Sequence, residues 1–276
     1  MTAVGFVGLG QIGAPMAGHL ADWPGGLVVC DVRDEATAPL AERGAKVASA
    51  PVDVAEQCDV ISVMVRDDEQ VRSVVGEMLS AATVGTVIAV HSTIRAETAE
   101  ELASTAASTG VEIVDAPVSG GFMGAHEGTL AVLVGGTDAA VDRCREPFGR
   151  WAKLVVHFGP VGAGTRAKLA RNLITFASYA VAGEAQRLAE AAGLDLRKLA
   201  KVVRHSDEIT GGASAIMLRD TTAPMRPDDS LFEILAHTRS LGDKDLSLAL
   251  DLGRDLGVDL PFAELALARF GPGLGL

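Results

Sequence analysis

Residues 3–31 read AVGFVGLGQIGAPMAGHLADWPGGLVVCD, and this stretch decides the fold. Ala3 to Val7 is a short apolar run with β-branched Val4 and Val7, which predicts a buried strand. Gly8-Leu9-Gly10-Gln11-Ile12-Gly13 follows at once, and Ala14 to Ala21 reads as a helix. Leu27 to Cys30 is a second apolar run that ends at Asp31, 18 residues after Gly13. The order is strand, glycine turn, helix, strand, acid. Gly8 permits the tight turn, Gly10 lets a pyrophosphate approach the backbone, and Gly13 lets helix and strand pack closely. The helix start offers N–H groups and a positive dipole end to phosphates. Asp31 is placed to accept the adenosine ribose hydroxyls, and its charge repels a 2′-phosphate. NAD is therefore the expected cofactor. Arg33, two residues on, offsets that charge and keeps NADP as the alternative.

From this unit onward, apolar runs alternate with helix-like segments. Val60 to Val65, Thr86 to Val90, Glu112 to Val114, Thr129 to Val134 and Leu154 to Phe158 read as strands. Gln70 to Ser80, Glu97 to Ser108 and Asp138 to Phe148 read as helices, and Gly124 to Gly128 as a loop. The rhythm predicts an α/β Rossmann-type domain over residues 1–161, doubly wound around a mostly parallel sheet. Ligands of such sheets sit beyond the carboxyl ends of the strands. Met64, Val65, Ser92 and Thr93 fall there and border the expected nicotinamide end, although each also reads as an ordinary strand end or cap. Ser119-Gly120-Gly121 offers a hydroxyl and two unobstructed N–H groups, a carboxylate cradle or simply a turn.

After Gly164 the strand signals stop, so residues 162–276 are expected to form an all-α substrate and dimerisation domain. It opens with Gly162 to Asn172, GAGTRAKLARN, and one long helix over 165–192 capped by Gly193. Leu196 to Arg204, Leu231 to Asp255 and the segment after Pro261 read as further helices, with His205 to Gly212 a polar break. On the long helix Lys168 and Asn172 are i and i+4 and share a face, where an ammonium and an amide can hold one oxygen-bearing substrate. In isolation the same pair is a solvated helix face. Here it follows a nucleotide-binding signature.

The 276 residues carry a net charge of −12, which argues against nucleic acid or an anionic membrane as partner but leaves room for a small anionic substrate. Leu173 to Gly183 is too short to span a bilayer, and the glycine-broken N-terminus lacks the basic start of a signal peptide. Cys30, Cys58 and Cys144 have no metal-ligand spacing; no metal is expected, and a reducing cytoplasm is.

Four motifs in order, GFVGLGQIGAPMAGHL at 5–20, DAPVSGG at 115–121, GAGTRAKLARN at 162–172 and KDLSLA at 244–249, make the chain resemble the β-hydroxyacid dehydrogenases. This group includes 3-hydroxyisobutyrate dehydrogenase and tartronate semialdehyde reductase. The resemblance implies that Lys168 is the catalytic general acid/base and that Asn172 places the substrate. It implies that Ser119, Gly120 and Gly121 bind its carboxylate, and that Thr93 and Lys244 lie near the nicotinamide. It also implies that Lys244 repels Lys168, and that the chain forms a homo-oligomer, a dimer or tetramer. The chain departs from the family pattern at Arg171, where Asn is common, in a longer stretch from Phe232 to Lys244, and in an end at Leu276 short of the usual last helix. The competing readings are an imine reductase-like or 6-phosphogluconate-like enzyme, in which Lys168 and the short chain count against the respective match, and a non-catalytic NAD-sensing protein.

Overall fold

Branched apolar runs fill the centre of a nine-stranded sheet in the computed structural model, which describes residues 2–276. Chain order runs β1 (Ala3–Val7), α1 (Gly13–Gly18), β2 (Leu27–Cys30), α2 (Asp34–Ala41), β3 (Lys46–Val47), α3 (Pro51–Ala55) and β4 (Cys58–Val63). It continues through α4 (Asp68–Met78), β5 (Val87–Val90), α5 (Ala96–Ala107), β6 (Glu112–Asp115), β7 (Val118–Ser119) and α6 (Gly121–Glu127). The last elements of the sheet region are β8 (Leu130–Gly135), α7 (Asp138–Phe148) and β9 (Ala152–Gly159). The strand order is β3-β2-β1-β4-β5-β6-β8-β7, with β9 paired to β8. From β3 to β6 every pairing is parallel. β8 runs antiparallel to β6 and β7 and parallel to β9.

Successive side chains of a strand point to opposite faces, and both faces are covered. Phe6, Val29 and Ala89 pack on one side with Met16, Leu20, Phe148 and Trp151. Val7, Val28 and Ile88 pack on the other with Val71, Val75, Met78 and Leu102. The chain leaves β1 toward β2 on one side and later returns to add β4 on the other. That reversal makes a crevice at the C-terminal end of β1, where α/β sheets bind ligands.

The chain divides into two compact units, Met1–Arg171 and Asn172–Leu276. The division falls inside a helix of 29 residues, α8 (Ala163–Ala191), whose first turns belong with the sheet. The second unit adds α9 (Leu196–Thr210), a short 3-10 turn at Gly212–Ile216, α10 (Phe232–Leu256) and α11 (Pro261–Leu274). Within it, the buried carboxylate of Glu184 accepts hydrogen bonds from the Phe262 and Ala263 N–H groups at 2.8 and 3.1 Å and so caps α11. Around Leu173 to Gly183, α8 has no charged residue, yet Phe176 is 62% and Tyr179 67% exposed.

Two segments differ from the sequence expectation. Gly124 to Gly128 is not a loop: residues 121–127 form α6, closed by Gly128 in the left-handed region. His205 to Gly212 is not a break either, because α9 continues to Thr210 and stops at left-handed Gly211. Both times polar composition hid a helix whose end is set by a glycine.

Gly13 and Gly10 separate two uses of glycine. A Cβ on Gly13 would collide with the Gly8 carbonyl oxygen, whereas one on Gly10 would meet nothing within 4 Å. Gly13→Ala is therefore expected to lower stability in a urea titration by about 1–3 kcal/mol, and Gly10→Ala to leave it within about 0.5 kcal/mol.

Candidate active site

The crevice beside β1 holds most of the residues that the glycine signature singled out. It encloses about 1080 Å³ and is lined by Gly8, Gly10, Gln11, Ile12, Gly13, Asp31, Arg33, Met64 and Val65. Cys30, Ser49, Ala50, Pro51, Arg66 and Gln70 also line it. Gly8 has φ +92°, and a Cβ there would strike the Met64 carbonyl, so the turn needs glycine. The open space beside Gly10 is the cradle that a pyrophosphate would fill.

Leu9 takes part through its backbone: its N–H donates to Asp31 Oδ2 at 2.6 Å. The N–H and Nε of Arg33 donate to Oδ1 at 2.9 and 3.2 Å, and Arg33 Nη2 donates to the Leu9 carbonyl at 3.3 Å. Burial works against the charge on Asp31, but the Leu9 and Arg33 hydrogen bonds outweigh it and hold the carboxyl below its ordinary range. The acid thus fixes the glycine turn and presents its remaining lone pairs to the crevice.

Next to β4, Ser92 accepts the Val65 N–H at 3.0 Å and donates to the Val65 carbonyl at 2.7 Å, which fixes the Met64-Val65 segment. Thr93 follows on the surface. His91 is fully enclosed. It bonds the Ala116 carbonyl and the Ser62 hydroxyl at 2.8 and 3.0 Å, packs against Phe148 and Trp151, and is held neutral by burial, its pKa pushed down to about 4.

At the end of β6, Asp115 is 0% exposed and binds the start of α8. Its Oδ1 accepts the Gly162 N–H at 2.7 Å and its Oδ2 the Thr165 N–H at 2.6 Å. Gly135 lies opposite Asp115 in the sheet. A Cβ on Gly164 would meet the backbone of Leu133, Asp115 and Gly135, so the first turn of α8 lies directly on the strands. Arg166 pairs with Glu100 of α5 at 2.8 Å and ties down the outer side.

Lys168 is on the next turn and is only 8% exposed. Burial, and then the nearby charge of Arg171, lower its pKa from 10.5 to about 8. The charge that adds to burial comes from Arg171.

Four residues after Asp115, Ser119 is half-buried in β7 opposite Ala131. Gly120 and Gly121 follow at φ +135° and +62°, exposed at the start of α6. None of Thr93, Ser119, Gly120, Gly121 and Lys168 lines the crevice beside β1. In the second unit, Asn172 is half-buried on α8 and one turn from Lys168, and Lys244 is exposed on α10 and pairs with Asp245 at 3.2 Å. Among the described residues no cluster of His, Cys, Asp and Glu has the makings of a metal site.

Sequence reasoning missed Asp115 as a structural group and missed the rim residues Ser49, Ala50, Pro51, Arg66 and Gln70. A signal for Asp115 existed, an acid at the last position of an apolar strand.

A switch-point crevice at a glycine turn, lined by an acid, suits a dinucleotide, and the family matches make the class an NAD(P)-dependent oxidoreductase. The family described as the NAD binding domain of 6-phosphogluconate dehydrogenase matches residues 3–159. That described as the NAD-binding domain of NADP-dependent 3-hydroxyisobutyrate dehydrogenase matches residues 162–271. An uncharacterised oxidoreductase of Mycobacterium tuberculosis is 59% identical over 99% of this chain and 93% of its own. The 3-hydroxyisobutyrate dehydrogenase of the same organism, determined with L-serine, is 30% identical with a TM-score of 0.70 over 98% of this chain and 94% of its own. An imine reductase from Myxococcus stipitatus, determined with NAD+, shares the fold at 18% identity, with a TM-score of 0.78 over 99% of this chain and 96% of its own. The chain belongs to the β-hydroxyacid dehydrogenase family.

Because Asp31 closes the glycine turn as well as facing the crevice, Asp31→Asn is expected to raise the Kd for NADH roughly 10-fold, the value of a charged hydrogen bond. NADPH should lose less. Fluorescence titration of both cofactors checks this, and an equal loss would contradict it.

Proposed function

We propose that this chain reversibly oxidises a small 3-hydroxy acid of the 3-hydroxyisobutyrate type to its semialdehyde, with NAD preferred and Lys168 as general acid/base. The observation that carries the reading is Lys168 itself, buried on a helix start bound to the strand that leads into Ser119-Gly120-Gly121. A lysine titrating near 8 can exchange a proton at working pH, which an ordinary lysine near 10.5 cannot do well.

In oxidation the neutral Lys168 amine takes the hydroxyl proton as the carbon–oxygen double bond forms. When bound, the nicotinamide is the hydride acceptor. In the reverse direction the Lys168 ammonium polarises the carbonyl and returns the proton. Ser119 and the Gly120 and Gly121 N–H groups hold the substrate carboxylate, and Asn172 holds the reacting oxygen, so one carbon is presented for transfer. The relative determined with L-serine supports this class, since L-serine is also a 3-hydroxy acid. The nucleotide half is assigned to Gly8 through Gly13, Asp31 and Arg33, and the nicotinamide end to Met64, Val65, Thr93 and Lys244. Residues 1–161 serve the cofactor and 162–276 the substrate and self-association. The uncharged stretch of α8 around Phe176 and Tyr179 supports a homo-oligomer, because large apolar side chains exposed together on one helix need covering. No helix among the described residues is long and apolar enough to cross a membrane. The three free, buried cysteines suit a reducing compartment such as the cytoplasm.

Lys168→Ala is expected to cut turnover by roughly 10²-fold or more while NADH binding stays. In the wild type, oxidation needs the neutral amine, so its rate should rise with pH through about 8; reduction needs the ammonium and should fall through the same point. A panel of 3-hydroxyisobutyrate, 3-hydroxypropionate, glycerate and 4-hydroxybutyrate, with NAD and NADP, checks both. Unchanged turnover in the variant would overturn the role of Lys168. Tight NADH binding with no turnover on any hydroxy acid would favour a sensor, and turnover on imines alone an imine reductase.

A further inference from the structure

Asp115 is a buried carboxylate with no substrate to hold, on the strand before the carboxylate loop and against the helix that carries Lys168. We infer that Asp115 is the positioning residue for Lys168: by binding the Gly162 and Thr165 N–H groups it holds the first turn of α8 on the sheet and keeps the amine in its buried place. The inference rests on Lys168 being the acid/base group proposed above.

Three observations carry it. The two hydrogen bonds, 2.7 and 2.6 Å, use one carboxylate oxygen each, so both of these backbone donors depend on the same side chain. Gly162 has φ +90°, which turns the chain into the helix with its N–H aimed at the acid. Gly135 and Gly164 leave no room for a Cβ, so the helix start has one seating depth on the strands. Burial raises the Asp115 pKa, opposed by the Thr165 and Gly162 N–H groups. A carboxylate in this setting is costly to keep and has these N–H groups as its return.

Arg166 is paired with Glu100 and also feels the charges of Glu97 and Asp115, and Arg171 is the charge that acts on Lys168. Asp115 therefore reaches Lys168 through the position of the helix, which separates this role from that of an ion-pair partner.

Asp115→Asn keeps the size of the side chain but turns an amide nitrogen toward one of the two donors, leaving that donor without an acceptor. Loosening the helix start should let water reach Lys168. Two readouts follow. The first is the pH dependence of Lys168 acylation by an amine-reactive reagent, mapped by mass spectrometry, which reports its titration without needing turnover. Its midpoint is expected near 8 in the wild type and about one unit higher in the variant, toward 10.5. The second is kcat for oxidation, expected to fall roughly 10-fold near neutral pH and to recover in alkaline buffer, with KM for NAD unchanged.

Gly164→Ala gives a second route, because it lifts the helix from the strands while leaving the carboxylate in place. It is expected to shift the midpoint the same way, and it carries the test if Asp115→Asn loses NADH binding and fails to fold. A labelling midpoint that stays at the wild-type value in a folded variant would overturn the positioning role, even with activity reduced. A labelling midpoint that moves while the rate profile does not would leave the positioning intact and remove Lys168 as the acid/base group.

Discussion

A single buried carboxylate, Asp115, joins the sheet to the helix that carries the buried Lys168. Two backbone donors at the start of α8 converge on it. Leaving a buried donor unpaired costs about 1–3 kcal/mol, so this contact is not one of many interchangeable surface bonds. The glycines at 135 and 164 let backbone lie on backbone, and a helix seated that way has little freedom to slide. The burial of Lys168, and with it the lowered pKa, follows from where that first turn is fixed.

Carboxylates brace backbone amides elsewhere in the chain too. Asp31, at the end of β2, binds the Leu9 N–H and closes the glycine turn before α1. Asp115, at the end of β6, closes the glycine turn before α8. Glu184, itself on α8, binds the Phe262 and Ala263 N–H groups at the start of α11. Asp115 and Glu184 meet amides that a helix start leaves unsatisfied, whereas Asp31 holds the turn ahead of its helix. Two of these acids sit at strand ends, where an α/β sheet presents its ligand-facing groups. Fixing the backbone there before any ligand arrives reduces the ordering that binding must supply.

The first unit was largely legible in the sequence because its signals are local. Strands such as Ala3–Val7 and Leu27–Cys30 are short branched runs bounded by glycine or acid, and both fall where the pattern put them. The helix Asp138–Phe148 begins at a threonine cap and matched end to end. The segments that escaped depend on contacts distant in sequence. α6 looks like a glycine-rich loop until its packing against α1 and β8 is seen. The strands β7 and β3 are two residues long, too short to show a period. The candidate site divided in the same way. The glycine turn and Asp31 were readable from spacing, whereas the seating of α8 by Asp115 joins residues 47 and 50 positions apart, which no local pattern reports. The part played by Arg171 was hidden too, because a substitution within a motif says nothing about where its charge points.

In the proposed reaction, hydride leaves the hydroxyl carbon of a 3-hydroxy acid for the cofactor. The measurement that tests it most directly uses 3-hydroxyisobutyrate with both hydrogens of the hydroxyl-bearing carbon replaced by deuterium, incubated with the enzyme and NAD, followed by mass spectrometry of the reduced cofactor. The prediction is one deuterium in each NADH formed. Reduced cofactor without deuterium, or no reduction by an enzyme shown to bind NADH, would contradict it.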